Sequence, residues 1–148
     1  VVLMHKQGTP QTMQHAPHYT DVVGEVKAFL QRRVDACLAA GILEKNILLD
    51  PGFGFGKTAA HNLTLLKHLD EIVALGFPVL VGLSRKSLIS QIVGTGYGAN
   101  VDERLAGSLA LAAIAVEKGA TIVRTHDVRE TVQALAVQAA VKAAADPN

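Results

Sequence analysis

Three short segments of the sequence carry side chains that could bind a charged ligand, and each of them ends an apolar run. Asp50 ends the second such run, and its planar carboxylate suits a ligand with paired N–H donors. Arg85 and Lys86 form a basic pair flanked by hydroxyl groups, which suits an anion or a ring carbonyl oxygen. Arg124 and His126 stand two positions apart, so they lie on the same side of an extended chain.

Each segment also has a simpler interpretation. Asp50 could accept hydrogen bonds from backbone amides of its own turn, and Lys86 could belong to a solvated basic turn. Asp127 could cap a helix, with His126 beside it by chance. The segments weigh more together, because they all follow apolar runs. If those runs are strands that curve into a barrel, Asp50, Lys86, Arg124 and His126 face one mouth.

The glycine-rich stretch 50–58 does not match a nucleotide-binding loop. The pattern G-x-x-x-x-G-K-[ST] aligns on Gly56-Lys57-Thr58 and then requires glycine where the chain has Pro51. The dinucleotide pattern G-x-G-x-x-G fails as well, because Lys57 stands where its last glycine belongs. We therefore interpret these glycines as positions where the backbone approaches a ligand closely.

Strands and helices are predicted to alternate along the chain. Four continuously apolar runs predict buried parallel strands: Val1–His5, Asn46–Asp50, Pro78–Ser84 and Ala120–Thr125. The segments between and after them have helical length and periodicity: Asp21–Ala40, Asn62–Leu75, Asp102–Lys118 and Asp127–Ala145, the last opening with a capping-box pattern in which Asp127 takes the place of serine or threonine.

This order predicts an α/β fold with a parallel sheet and right-handed crossovers. Four βα units could form half of a doubly wound sheet or half of a closed barrel. A complete (β/α)₈ barrel needs about 250 residues, and the chain has 148. We predict one partial domain over residues 1–148, the C-terminal half of a TIM barrel with strands five to eight. Its last two loops are then the usual phosphate site of such barrels.

Composition narrows the possible partners and compartment. A net charge of +1 gives no argument for nucleic acid or an anionic membrane surface, and no apolar run is long enough for a membrane span. The single cysteine, Cys37, fits a reducing cytoplasm. The chain starts with Val1 inside an apolar run, so we expect preceding sequence to be missing.

Several histidines and one glycine-rich run are weaker candidates for functional residues. His15 and His18 have ligand-like spacing, but no third ligand is evident, so a zinc site is not expected. His61 and His68 are expected on a helix surface. The run Gly94–Gly98 follows a short helix and is interpreted as a connector rather than a lid.

The segments together resemble the dihydropteroate synthase family. The resemblance rests on four stretches spread over nearly the whole chain: Leu3-Met4-His5-Lys6-Gln7-Gly8-Thr9-Pro10, Asp50-Pro51-Gly52-Phe53-Gly54-Phe55-Gly56-Lys57, Gly82-Leu83-Ser84-Arg85-Lys86-Ser87 and Arg124-Thr125-His126-Asp127. It implies a cytoplasmic, usually homodimeric barrel enzyme of folate biosynthesis that is the target of sulfonamides. Such an enzyme condenses p-aminobenzoate with 6-hydroxymethyl-7,8-dihydropterin diphosphate and gives 7,8-dihydropteroate and diphosphate.

The resemblance also implies roles for individual residues. Asp50 would bind the pterin ring N–H and amino group, and Lys86 the ring carbonyl and ring nitrogen. Arg124 would cover the pterin face and, with His126, bind the diphosphate, so that Lys86, Arg124 and His126 are the catalytic candidates. The remaining substrate-binding candidates are Met4 and Gly82 in the pterin slot, Phe55 and Ser87 beside the aminobenzoate, and also Gly54 and Thr125.

What the chain lacks relative to this family is the first four strands. With them goes the expected magnesium ligand, so Mg²⁺ is expected but no metal ligand is predicted in this chain, and the chain alone is predicted to be inactive. Two alternatives stay open: a related pterin-binding methyltransferase barrel, against which Lys86 argues, and a non-catalytic half-barrel fragment.

Overall fold

Four parallel strands follow one another across the sheet in the same order as along the chain. The computed structural model describes residues 1–9, 11, 13, 16–94 and 100–145. The strands are β1 (Val2–Met4), β2 (Leu48–Asp50), β3 (Leu80–Val81) and β4 (Ile122–Val123). β1 pairs with β2 and β3 pairs with β4, and a parallel bridge between Leu49 and Val79 joins the two pairs.

Helices connect the strands. They are α1 (Val22–Ala39), α2 (Ala59–Lys67), α3 (Leu69–Val73), α4 (Ser87–Val93), α5 (Leu105–Glu117) and α6 (Val128–Ala143). The side chain of Asp21 accepts a hydrogen bond from Gly24 N at the start of α1, and Thr58 does the same for His61 N at the start of α2. Such caps satisfy amides that the first turn leaves without a helical partner.

The core lies between the sheet and the first helices. Leu49, Val79 and Val81 of the strand region are fully buried, as are Val26 and Leu30 of α1. The outer strands differ from this centre, because Val2 of β1 is 49% exposed and Ile122 of β4 is 39% exposed. The sheet therefore ends, within the described residues, in two edges with accessible apolar side chains.

The predicted alternation of strands and helices is confirmed, but several predicted bounds are wrong. Each strand is shorter than its apolar run, since pairing stops where the chain turns into a loop. The predicted helix 62–75 is two helices, α2 and α3, which meet at His68. The segment 101–104 is a 3₁₀ turn ahead of α5. His15, Pro147 and the run after Gly94 lie outside the described residues.

The predicted capping box at the start of α6 is also wrong. Asp127 stands at the N-cap, but its side chain makes no capping hydrogen bond. Its carboxylate is taken by Arg85 instead. Asp127 binds Arg85, which is distant in sequence, rather than the backbone amides of its own helix. Charge-assisted hydrogen bonds between arginine and a carboxylate are stronger than those from neutral amides.

Candidate active site

Asp50 ends β2 as a buried carboxylate with one oxygen already engaged. It is 4% exposed, and its Oδ1 accepts a hydrogen bond of 2.8 Å from Gly52 N. The local interpretation of Asp50 is therefore correct for one oxygen. Oδ2 makes no hydrogen bond with the described residues, nor is it sealed from solvent. Burial raises the pKa of Asp50, opposed by the Gly52 N–H, Arg124, Lys57 and Lys86.

Lys57 supports the loop after β2 from inside. It is 4% exposed, and its Nζ donates to Gly52 O at 2.9 Å and to Phe55 O at 3.2 Å. Nζ also lies 2.9 Å from His5 Nδ1. Burial, opposed by Asp50, lowers the pKa of Lys57 to about 8. Burial and the nearby Lys57 lower the pKa of His5 to about 4, so His5 accepts this bond as a neutral ring.

Two further side chains fix the same loop. Asn62 at the start of α2 is 3% exposed; its Oδ1 accepts from Gly54 N and its Nδ2 donates to Thr58 O, both at 2.8 Å. Tyr19 Oη donates to Gly56 O at 2.8 Å. Hereafter residues 51–58 are called the β2 loop. Its backbone is held from several elements at once.

The glycine at position 52 is required by a close approach of two chain segments. Gly52 has φ of +70°, and a Cβ there would overlap the carbonyl oxygen of His5. A left-handed conformation and a backbone contact both exclude larger residues. The glycines of this segment therefore serve the packing of the β2 loop onto the end of β1, in addition to any approach to a ligand.

The loops after β3 and β4 are joined by an ion pair. Arg85 Nε donates to Asp127 Oδ2 at 3.1 Å, and Nη2 donates to Oδ1 of the same carboxylate. Arg85 adopts a left-handed backbone conformation with φ of +56°, and its N–H donates to Ser108 Oγ at 2.9 Å. The ion pair raises the pKa of Arg85 and lowers that of Asp127. Arg85 is thus engaged within the protein.

A second contact joins the same two loops. Ser84 Oγ accepts from His126 N at 3.2 Å and lies 3.0 Å from His126 Nδ1. Ser84 is 8% exposed, whereas His126 is exposed. Residues 84–87 and 124–127 are hereafter called the β3–β4 loop pair. Both contacts fix the residue after a strand end relative to its neighbour on the next strand.

A cleft of about 300 Å³ opens between these loops. Its lining consists of Phe55, Gly82, Ser84, Lys86, Arg124, Thr125 and His126. Lys86 Nζ lies 4.5 Å from the centre of the Phe55 ring, a cation–π distance. Burial and the nearby Arg124, opposed by Asp50, lower the pKa of Lys86.

Gly82 makes room for the guanidinium of Arg124. A Cβ at position 82 would stand 2.9 Å from Arg124 Nη2, closer than such atoms approach in proteins. Arg124 therefore crosses the β3 strand end over a glycine, and its charge acts on both Asp50 and Lys86. The cleft is therefore lined by the cationic side chains of Lys86 and Arg124, and Asp50 lies near enough to interact with both.

Most of the predicted site residues are brought together, and some are not. Gly54 and Ser87 line a neighbouring cleft of about 250 Å³ that shares Lys86. Met4 lies half-buried at the end of β1, in register with Asp50, and lines neither of these clefts. His61 lies in the first turn of α2 with intermediate exposure, and its ring packs against Tyr19 with ring centres 4.9 Å apart.

The sequence did not indicate the contacts of Ser84, Lys57, His5 and Asn62. Ser84 and Lys57 stand inside the motifs, but no local signal indicates that one contacts His126 and the other is buried. Among the described residues, no group of three or more His, Cys, Asp or Glu side chains could hold a metal ion. In the same part of the chain, no helix is long and apolar enough to cross a membrane.

The fold and the site together define an α/β enzyme-like protein with a polar site at the carboxyl ends of consecutive parallel strands. The sequence pattern of the pterin binding enzymes matches residues 1–126, and the chain belongs to that family.

The similar proteins are dihydropteroate synthases, as the motifs indicate. The enzyme of Escherichia coli is 51% identical over 93% of this chain, which corresponds to 47% of that protein. The crystal structure from Stenotrophomonas maltophilia has a TM-score of 0.93 at 50% identity, over 98% of this chain and 54% of that one. The Xanthomonas albilineans enzyme in complex with 7,8-dihydropteroate has a TM-score of 0.88 at 46% identity, over 97% and 51%. The chain thus spans about half the length of these relatives.

Proposed function

We propose that this chain supplies half of a (β/α)₈ barrel, strands five to eight with their helices, to a dihydropteroate synthase. The strand order supports a barrel, because each strand neighbours the next in sequence, whereas a doubly wound sheet reverses its order. β1 and β4 are the two edges of the sheet, and further strands of a complete barrel would cover their accessible apolar side chains. We propose residues 1–148 as one partial domain on this basis.

The proposed reaction condenses p-aminobenzoate with 6-hydroxymethyl-7,8-dihydropterin diphosphate. The amine nitrogen attacks the methylene carbon, a C–N bond forms, and the C–O bond to the diphosphate breaks. The diphosphate leaves with the bonding electron pair, and the amine gives up a proton to solvent. The products are 7,8-dihydropteroate and diphosphate. A relative bound to 7,8-dihydropteroate supports this choice of substrate class.

The observation that carries the proposal is the open oxygen of Asp50 beside a cationic cleft. A pterin ring presents an N–H and an amino group side by side, and a carboxylate accepts such a pair. With Oδ1 fixed by Gly52 N, the carboxylate plane is set before the ligand arrives. The charge of Lys86 lies near enough to affect the pKa of Asp50. In the proposed complex, Lys86 would donate to the ring carbonyl and ring nitrogen of a pterin that lies between Gly82 and Phe55.

Stabilisation of the leaving diphosphate is the proposed source of catalysis. Arg124 and His126 line the same cleft as Lys86, so their N–H groups are available where negative charge grows. Preorganised N–H donors of this kind need no reorganisation as the bond breaks. Thr125, which stands between Arg124 and His126 in the sequence, lines the same cleft. The aminobenzoate would lie against Phe55, Gly54, Lys86 and Ser87, and Met4 would close the pterin slot in the full barrel.

Magnesium binding, the homodimer and the cytoplasmic location remain predictions. The described residues offer no metal cluster, so we propose that the Mg²⁺ ligands lie outside this chain. For the homodimer, we propose a surface on α6 that includes Val137 and Val141, which stand four positions apart on one face of the helix and are 62% and 72% exposed. A second copy would cover such a surface, and sedimentation velocity of the full-length protein tests it. The cytoplasmic location is proposed from the single cysteine, Cys37, together with the family.

The decisive test supplies both substrates to the full-length protein and, separately, to the 148-residue chain. We expect diphosphate and 7,8-dihydropteroate from the full-length protein and none from the chain alone. Methyl transfer without diphosphate release would favour the methyltransferase alternative. Product formation by the purified chain alone would contradict the proposed division of the site between two halves.

A further inference from the structure

Ser84 is 8% exposed, and among the described residues both hydrogen bonds of its hydroxyl group are with one residue. It accepts from the backbone N–H of His126 and lies 3.0 Å from the ring nitrogen Nδ1 of the same residue. The hydroxyl carries one proton and can accept two hydrogen bonds. Within the described residues, Nδ1 is the only acceptor that this proton can reach.

These contacts decide which ring nitrogen of a neutral His126 carries the proton. If Nδ1 carried it, Nδ1 would donate to Ser84 Oγ, and the hydroxyl proton would have no acceptor among the described residues. A buried donor without a partner costs about 1–3 kcal/mol. If Ser84 donates to Nδ1 instead, both of its hydrogen bonds are made and the ring proton resides on Nε2.

The exposed side of the ring then becomes a hydrogen-bond donor. His126 is exposed and lines the cleft beside Arg124 and Lys86, and its Nε2 makes no hydrogen bond with any described residue. We propose that Ser84 is a positioning residue that holds His126 with Nε2–H directed at an anionic ligand group. This inference rests on the proposed function for the identity of that anion, a diphosphate, but not for the tautomer itself.

The arrangement matters because a neutral histidine in the other tautomer would present a lone pair. A bare Nε2 repels an anionic oxygen, whereas Nε2–H donates to it. Partners that fix the orientation and tautomer of a histidine often contribute as much as the ligand-binding groups themselves. Ser84 would therefore act on the diphosphate end of the substrate and leave the pterin end, at Asp50, unaffected.

The first test measures the tautomer in the full-length protein without ligand. Imidazole ¹⁵N spectra distinguish a protonated ring nitrogen from a bare one, and His126→Gln identifies the signal. We expect the neutral form of His126 to carry its proton on Nε2. A wild-type His126 with its proton on Nδ1 would overturn the inference, whatever the enzyme does.

The second test compares Ser84→Ala with Ser90→Ala. Ser90 is a fitting control, because among the described residues its hydroxyl group donates to the local Ser87 O within α4. Inorganic diphosphate and a pterin without phosphate serve as probes. We expect Ser84→Ala to weaken diphosphate binding about tenfold, to shift the tautomer toward Nδ1–H, and to leave pterin binding unchanged. Ser90→Ala should match wild type in all three.

The outcomes separate this inference from the proposed function. If the wild-type protein binds neither probe, the proposed function fails and the tautomer measurement still decides the role of Ser84. If wild type binds both and Ser84→Ala binds diphosphate equally well with an unchanged tautomer, the inference is wrong and the proposed function stands. Should Ser84→Ala not fold, the wild-type spectrum carries the decision.

Discussion

The β2 loop and the β3–β4 loop pair hold site residues at the same edge of the sheet by different means. The β2 loop depends on buried groups, chiefly Lys57 and Asn62, which are 4% and 3% exposed. The loop pair depends on the Arg85–Asp127 ion pair, whose side chains are 31% and 14% exposed, and on the Ser84–His126 contact. Buried support is insensitive to salt but demands that every polar group be satisfied, whereas an accessible ion pair is weaker and screened.

The difference fits the chemistry proposed for each place. Asp50, which directly precedes the β2 loop, would keep its carboxylate in a fixed plane to receive a flat ring. Lys86, Arg124 and His126 of the loop pair would face the diphosphate, whose charge changes during the proposed reaction. The first region is thus a surface with buried support, and the second is a set of N–H donors joined across two strand ends.

The largest expected effect comes from removing the Asp50 charge. Asp50→Asn in the full-length protein keeps the size but loses the anionic acceptor, and Lys86→Ala removes the facing donor. We expect each to lower affinity for 6-hydroxymethyl-7,8-dihydropterin diphosphate on the order of 100-fold, measured by titration calorimetry. Asp35→Asn on the exposed face of α1 is the control. Wild-type affinity in either site variant would refute these two assignments.

Removal of the buried lysine should destabilise the β2 loop. Lys57→Met keeps the apolar stem and leaves Gly52 O, Phe55 O and His5 Nδ1 without their donor. We expect a loss in the free energy of unfolding of about 3 kcal/mol, seen as a lower urea midpoint. Lys67→Met, at an exposed position of α2, should change little. Equal stability of both variants would mean that the lysine contributes no net support.

The neutral His5 predicts a pH dependence. Its folded pKa of about 4 lies below the ordinary value of 6.5, so the unfolded chain binds the proton more readily. The stability from a neutral His5 is therefore present above pH 6.5 and is lost as the pH falls toward 4, by at most about 3 kcal/mol. Melting temperatures between these pH values should fall more steeply for wild type than for His5→Gln. Parallel curves would exclude this group as the cause.

The smallest effect is expected at the Arg85–Asp127 pair. Asp127→Asn keeps the shape and removes the charge, so the variant should be slightly less stable in dilute buffer, and the difference from wild type should shrink in concentrated salt. The difference between wild type and Lys57→Met should persist, because that contact is buried. Urea midpoints at low and high salt give both comparisons. If salt reduced both differences alike, the contrast between the two regions would be lost.

Much of this arrangement could be predicted from local patterns. The apolar runs and the glycines after the helices indicated the alternation of strands and helices, and the polar residues after each strand indicated the edge where the site lies. The motif containing Asp50 and the one containing Lys86 were identified without knowing what held either in place. Strand bounds were the weaker part, because pairing depends on the neighbouring strand as well as on the run itself.

The sequence by itself determined the order of the elements, the family and the residues that carry charge at the strand ends, because these depend on periodicity and on side-chain type. Only the tertiary structure decided the partners: Lys57 folds inward to His5, Asp127 turns from its own helix to Arg85, and Ser84 engages His126. Each of these contacts joins residues distant in sequence, between 42 and 52 positions apart. Their energies depend on burial and geometry that exist only once the strands lie side by side.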